Sequence, residues 1–384
     1  MQKIFHTPEG VRDIFQDECR QKLEIQRKIL ETFHLYGYED VETPTFEFFE
    51  VFSREVGTTP SKDLYKFFDR EGNTLVLRPD FTPSIARCAA SHFPVEREPA
   101  CLCYTGNTFV NSSSFQGRMK EATQMGVERI GDSSADSDAE LLAMIAHSLR
   151  AAGLEEFQIS VGQVDFFKAL LEDAKMSEDV EYELRELISN KNNFGVEELV
   201  RGENLQEELE NAFFQLPYLF GGEEVLRKAK NLTSNQRAIR AINRLEEIYE
   251  ILKYYGYEKY VSFDLGMLSK FRYYTGIIFQ AYTYGTGEPI VKGGRYDNLL
   301  EHFGKPACAS GFGISIDQLM LALSRQNIPF AKLLSLGRLL GRDSSHLYHG
   351  EPQGCHLAGH EAAGRGKMRD SEKIRSVRGE QRDL

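Results

Sequence analysis

Three short stretches carry the side chains in this sequence that could do chemistry. In Met119–Ile130, Gln124, Gly126 and Glu128 alternate with Met125, Val127 and Arg129. A strand sends every second side chain to one face, so an amide and a carboxylate would project together. That face is either a solvent face or the floor of a pocket for a small polar ligand. In Leu77–Pro83, two prolines stiffen the backbone and fix the directions of Asp80 and Thr82. A carboxylate and a hydroxyl placed so suit an ammonium group, which has three donors and no acceptor. Equally, either side chain could cap the helix that the sequence predicts from Ser84 to His92. In Leu268–Leu300, Tyr273 and Tyr274 offer phenols and ring faces to a planar ligand, or simply pack a sheet. Gly293-Gly294 could form an anion-binding nest, a weak signal by itself. The sequence has no P-loop, GxSxG or HExxH pattern.

These residues need elements to hold them. Asp17–Tyr36 carries Ile25, Ile29, Phe33 and Tyr36 at helical spacing, and Gly37 stops the run. Cys101–Gly131 reads as a hairpin: the apolar arm CLCY, a polar loop over Asn111–Gly117, then the alternating arm. Phe46, Phe49 and Phe52 form a core stripe or a subunit contact. LYKFFDR and TLVLRP pair across the turn EGN. Ser137–Gly153 is a helix, and Phe157–Val161 and Val261–Leu265 are strands. Residues 171–243 are acidic, polar and helix-rich, and read as a helical insertion rather than part of a sheet. RYYTGIIFQAYTY pairs with PIVKGGRY through GTGE. Cys308–Leu323 is a short strand running into an apolar helix.

Composition narrows the function classes. The chain has 384 residues, 41% hydrophobic and 11% aromatic, enough for a sizeable core. It has no apolar run of transmembrane length and no apolar signal core at its start. Six cysteines without CxxC or Cys/His ligand spacing read as reduced thiols in a cytoplasmic protein, with no metal site. A net charge of −12 opposes general nucleic-acid affinity.

In order along the chain, these stretches resemble the catalytic core of class II aminoacyl-tRNA synthetases, and histidyl-tRNA synthetase above all. VETPTFEFFEVFSREVG resembles motif 1, the dimer-forming element, and LRPDFTPSIAR resembles the LRPEGT segment. The Cys101–Gly131 hairpin resembles motif 2, and GFGISIDQLM resembles motif 3. RYYTGIIF and GGRYDNLL resemble the two histidine-specific signatures. The resemblance covers residues 5 to 326. It implies an α+β fold, a class II synthetase-like antiparallel sheet flanked by helices with a helical insertion. The core would comprise 1–170 and 244–326, the insertion 171–243, and a dimer would form through Pro44–Gly57.

Departures from the family pattern decide what the resemblance implies for function. Where motif 2 carries arginine, glutamate and arginine, an ungapped alignment puts Val110, Ser112 and Ser113. The motif 3 arginine is replaced by Gln318, and the arginine before the paired tyrosines by Ser269. In the family those arginines hold ATP phosphates and transition-state charge. Each such group is worth several kcal/mol, and a valine cannot replace a guanidinium fork. The positions matching the amino-acid contacts survive. Asp80 stands for a glutamate, and Thr82, Gln124, Glu128 and Tyr274 are kept beside Tyr273. The resemblance implies that Asp80, Thr82 and Gln124 hold an α-ammonium, and that Glu128 with Tyr274 grips an imidazole. This pattern is similar to the regulatory subunits of ATP phosphoribosyltransferase. They are non-catalytic paralogues that bind a short-form catalytic subunit, activate it and confer feedback inhibition by free histidine. No cofactor and no catalytic residue is then expected. Two rivals stand beside this reading: a divergent histidyl-tRNA synthetase or amino-acid ligase, and a tRNA- or histidine-sensing paralogue.

The tail departs from everything before it. Residues 331–384 contain a single aromatic, Tyr348, and four of the nine histidines, with ten Lys/Arg against seven Asp/Glu. Apolar periodicity fades beyond Leu340, so 327–384 reads as an atypical, disordered tail. A reading-frame change near Phe330 or a lineage-specific extension would each produce this shift.

Overall fold

The computed structural model describes residues 6–52, 59–95, 98–112, 119–268 and 273–328. Ser113, Ser269, the part of Pro44–Gly57 beyond Phe52, and the tail from residue 329 lie outside the described residues. The described residues fall within one compact unit, Met1–Phe330.

The first helix, α1 (Gln16–Leu35), buries Ile25, Ile29 and Phe33 on one stripe, as their spacing predicts. Gly37 ends it with a φ of 84°, a conformation that only glycine adopts cheaply. Strands β1 (Glu39–Asp40), β2 (Phe46–Phe48), β3 (Lys66–Phe68) and β4 (Thr74–Leu77) precede helix α2 (Thr82–His92). The hairpin follows as β5 (Ala100–Phe109) and β6 (Glu121–Ile130), then α3 (Ala135–Ala151) and β7 (Gln158–Gln163). The first arm is longer than the apolar run suggested, because β5 continues through Gly106. A Cβ on Gly106 would lie 2.6 Å from the Arg78 guanidinium, so glycine there serves close packing rather than a stop.

A helical stretch comes next: α4 (Val164–Ala174), α5 (Glu178–Ser189), α6 (Asn193–Gly202), α7 (Glu207–Gln215), α8 (Glu224–Lys230) and α9 (Gln236–Tyr255). It departs from the all-helical expectation at β8 (Phe220–Gly221), which adds to the sheet edge. The apolar faces of α4 to α9 join the same core as the main sheet, through Phe167, Phe213, Leu226 and Ile242. The chain closes with β9 (Val261–Asp264), β10 (Ile277–Tyr282), β11 (Val291–Arg295), β12 (Ala309–Ser315) and α10 (Ile316–Arg325).

Nine strands form one sheet in the order β1-β5-β6-β12-β11-β10-β7-β9-β8. The six from β5 to β7 are antiparallel, while β1 joins β5 and β9 joins β7 in parallel. The sheet's two faces have different fates. Cys103, Met125, Val127, Phe312 and Ile314 turn toward α1 and α3 and form the large core. Leu102, Tyr104 and Ile130 turn the other way, with Phe81 and Ile85 of the α2 region and Tyr296, and make a smaller cluster. The Gln124–Glu128 face of β6 belongs to this second side. Among the described residues no helix is long and apolar enough to cross a membrane.

A separate sheet, β2-β4-β3, carries Phe46 and Phe48 of the motif 1-like stretch, and a 3-10 turn after β2 carries Phe49 and Phe52. They do not form one core stripe. Phe52 is buried, Phe49 packs against its cluster, and Phe46 and Phe48 are half exposed. The pleat is inverted relative to a soluble edge strand. Glu47 points inward and pairs with Arg87 at 2.8 Å, and the aromatic rings face out.

Candidate functional site

The structure brings five of the sequence-selected residues together on one cleft of about 1370 Å³, with Tyr273 among its lining as the sixth. Asp80, Thr82, Gln124, Glu128, Tyr273 and Tyr274 all face it. The two readings of the β6 face are therefore separated: it is a pocket floor, because α1 and α3 cover the opposite face and α2 walls this one.

Glu128 is the centre of the site. It is 1% exposed. Its Oε1 accepts from the Thr82 hydroxyl at 2.7 Å, and its Oε2 accepts from the Tyr296 phenol. Burial pushes its carboxyl up to about 8, against the opposing pull of the Tyr296 and Thr82 hydrogen bonds; nearby Asp80 adds to the rise. At neutral pH that carboxyl thus carries a proton much of the time. Burial likewise raises the phenols of Tyr274, Tyr296 and Tyr104, so they remain donors across the physiological range.

Asp80 serves two ends at once. One of its oxygens accepts from the backbone N–H of Phe81 at 2.7 Å and of Thr82 at 3.4 Å, but the residue in the capping position of α2 is Phe81, so neither Asp80 nor Thr82 is its N-cap. Thr82 begins α2 but spends its hydroxyl on Glu128. The loop is fixed from behind by Arg78, whose guanidinium donates to the carbonyls of Asn107 at 2.8 Å and Thr43 at 2.9 Å. Arg78 also lies over the Phe81 ring, which stacks on Tyr104 at 4.3 Å. Gln124 donates to the Tyr104 phenol oxygen at 2.8 Å, leaving its amide oxygen to face the cleft.

Tyr273 and Tyr274 are not in a strand, contrary to the hairpin reading. β10 begins only at Ile277. The two rings sit 4.5 Å apart in the segment before it, and Tyr273 meets Tyr296 edge-on at 5.9 Å. Lys168 of α4 holds this segment by donating to the Tyr274 carbonyl at 3.0 Å.

Gly293 and Gly294 are not an anion nest. Both lie in β11, bonded between β10 and β12. A Cβ on Gly294 would stand 2.8 Å from the Tyr274 ring, and one on Gly293 would stand 2.5 Å from Phe279. Gly311 and Gly313 of β12 do the same for the pocket floor. Their Cβ atoms would fall 1.9 Å from Glu128 Oε2 and 2.0 Å from Gln124 Nε2. The sequence reading missed these glycines, along with Tyr104 and Tyr296. The alternating GFG beside the Gln124-x-Gly126-x-Glu128 run is the signal that could have found them.

The same cleft extends past Val110 and Gln318, matched to synthetase arginines, and past Ser112, matched to the motif 2 glutamate. The cations Arg12, Lys292 and Arg325 also line it. Arg12 is paired with Glu18 and Arg325 is tied to the Gly285 carbonyl.

A profile of the histidyl-tRNA synthetase family matches residues 10–319. An ATP phosphoribosyltransferase regulatory subunit of Acetivibrio thermocellus is 45% identical over 327 residues, covering 85% of this chain and 78% of that protein. One from a Thermoanaerobacter species is 40% identical, covering 84% of each. The chain belongs to the ATP phosphoribosyltransferase regulatory subunits of the histidyl-tRNA synthetase family. A crystal structure from Bacillus halodurans, described as an ATP phosphoribosyltransferase regulatory subunit/histidyl-tRNA synthetase, superposes with a TM-score of 0.79. It is 34% identical and covers 91% of this chain and 95% of that one. The histidyl-tRNA synthetase of Nostoc, 21% identical with a TM-score of 0.72 over 85% of this chain and 76% of its own, shares the fold. The class II synthetase-like α+β architecture expected from the motifs is therefore the architecture of the chain.

Proposed function

We infer that this chain is the non-catalytic regulatory subunit of an ATP phosphoribosyltransferase, acting in histidine biosynthesis. It activates a short-form catalytic subunit and carries free histidine as the feedback signal in the cleft around Glu128. One observation carries the reading. A buried carboxyl, a threonine hydroxyl and three phenols converge on a cleft that also passes Val110 and Gln318, the arginine-matched positions among the described residues. An amino acid can be held there, but the matched positions supply no charge for a phosphoryl leaving group.

The polar groups fit histidine in particular. Asp80 and the Gln124 amide oxygen are acceptors for an α-ammonium. Glu128 and Tyr274 are partners for the two ring nitrogens. A neutral imidazole entering the cleft meets a carboxyl that can give it a proton, producing an imidazolium–carboxylate pair at the buried Glu128. Dimerisation through the β2-β4-β3 surface is part of the same proposal, supported by the outward rings of Phe46 and Phe48.

Reconstitution with a short-form catalytic subunit tests the reading. Glu128→Gln keeps the shape but loses the charge. A carboxylate hydrogen bond to an imidazole is worth about 1.5–3 kcal/mol, so histidine should bind about tenfold to a hundredfold more weakly. Inhibition by histidine should weaken in parallel while activation persists. Unchanged inhibition would move the regulatory site elsewhere in the complex.

A further inference from the structure

Outside the cleft, three side chains of different chemistry converge where α1 ends against the sheet. His34 lies in the last turn of α1, Asp40 in β1 and Cys103 in β5. The tight turn at Gly37 folds the chain back so that His34 Nε2 reaches Asp40 Oδ2 at 3.0 Å. The parallel register pairs Asp40 with Cys103, and the thiol donates to Asp40 Oδ1 at 3.5 Å. One nitrogen, one oxygen and one sulfur thus lie within 4.8 Å of one another.

We propose that His34, Asp40 and Cys103 form a three-ligand site for a borderline divalent cation, zinc above all, with water in the fourth position. The separations support this. Metal–nitrogen and metal–oxygen bonds of about 2.0–2.1 Å and a metal–sulfur bond of about 2.3 Å put neighbouring tetrahedral ligand atoms roughly 3.3–3.6 Å apart. The imidazole and the thiol stand 3.0 and 3.5 Å from Asp40 through its two different oxygens, so the carboxylate must turn to present one oxygen to both. The three donors lie within 4.8 Å, and both His34 and Asp40 are exposed enough to make that adjustment. The sulfur is buried at the base and the other two donors form the rim, so an ion would enter from solvent and meet the thiol last. The donor set selects among metals. Imidazole with thiolate favours zinc-like ions over magnesium or calcium, which want oxygen.

Binding exchanges a proton for the cation. The Cys103 thiol becomes a thiolate on the metal and its proton passes to solvent, so affinity rises with pH. Burial of the thiol opposes that loss in the absence of metal. The site would pin the end of α1 to β1 and β5. Tyr104, the residue after Cys103, holds Gln124 in the cleft. No local motif could reveal the cluster, since its members stand at 34, 40 and 103.

The test uses the full chain, reduced and freed of metal by chelator, titrated with Co2+. A thiolate–cobalt charge-transfer band in the near ultraviolet should appear, saturate at one equivalent and vanish on adding Zn2+. Zn2+ should also raise the melting temperature. The tail holds Cys355 beside its histidines and could give a thiolate band of its own, so every protein in the titration, the otherwise unmutated chain included, carries Cys355→Ser. Cys103→Ser should abolish the band. His34→Gln and Asp40→Asn lie at the surface and leave the core intact, so they test the site if Cys103→Ser fails to fold. Each should weaken binding by at least the roughly 10–100-fold that loss of a metal site's outer partner costs. Absence of the band in the unmutated chain, or its persistence in Cys103→Ser or at full affinity in both surface variants, overturns the proposal.

Discussion

Glu128 sets the behaviour of the site at the scale of a single residue. Its folded carboxyl titrates near 8, against an ordinary value of 4.5. Between those values the folded chain holds a proton that the unfolded chain has released. Stability from this group is therefore fully present below about 4.5 and is lost as pH rises toward 8. For a group so deeply buried the change is on the order of 3–5 kcal/mol. Glu128→Gln mimics the protonated form and has no such dependence. Denaturant unfolding of both proteins at pH 5 and pH 8 should show the unmutated chain losing stability relative to the variant as pH rises. Parallel pH profiles would mean that Glu128 is ionised in the folded chain at neutral pH.

Elements decide whether that residue has room and whether the chain pairs with itself. Glu128 and Gln124 can lie along the pocket floor only because β12 presents glycines to them. Gly311→Ala would drive a methyl group to 1.9 Å from the Glu128 carboxylate, so the β6-β12 ladder must shift or the carboxylate must leave. Overpacking of this kind costs about 1–3 kcal/mol, and histidine binding should fall with it. Wild-type stability and binding in Gly311→Ala, measured by calorimetry, would show that the floor is softer than its geometry. On the small sheet, Phe48 is 53% exposed and Phe68 72%, while Glu47 between the outward rings of β2 is buried with Arg87. A strand with its charge inside and its aromatics outside calls for a covering surface. Phe48→Asp should give a folded monomer by light scattering, whereas the unmutated chain should scatter as a dimer. Phe52→Asp, by contrast, should unfold the small cluster, since Phe52 is buried within it. A monomeric unmutated chain at micromolar concentration would end the dimer proposal.

At the scale of the whole molecule, the expected outcome is an absence of adenylate chemistry. The cleft could admit an amino acid and a nucleotide together by volume. Yet Val110 and Gln318 stand at its arginine-matched positions among the described residues. Arg12 there is bound to Glu18, and Arg325 to a carbonyl. Charge stabilisation worth roughly 10²-fold or more in rate per group is missing from the matched positions. Purified protein should therefore show no histidine-dependent ATP–pyrophosphate exchange above background. Exchange clearly above background would return the chain to the enzymes.

The sequence by itself determined the periodic and the chemical parts of this protein. Helices α1, α3 and α10 and the hairpin of β5 and β6 were legible, because burial of one face imposes a 3.6- or 2-residue period on residue choice. The family resemblance singled out Asp80, Thr82, Gln124, Glu128, Tyr273 and Tyr274, and all six line one cleft. Tertiary structure alone decided which face of β6 met the cleft, since strict alternation is symmetric until a helix covers one side. It also decided that Tyr296 and Tyr104 hold Glu128 and Gln124, that Gly311 and Gly313 clear space for them, and that β8 joins the sheet. Those contacts span from about twenty to well over a hundred residues of sequence, and local propensity carries no term for a partner that distant. The meeting of His34, Asp40 and Cys103 has the same origin: a glycine turn and a parallel strand pair fold the chain so that positions 34, 40 and 103 become neighbours.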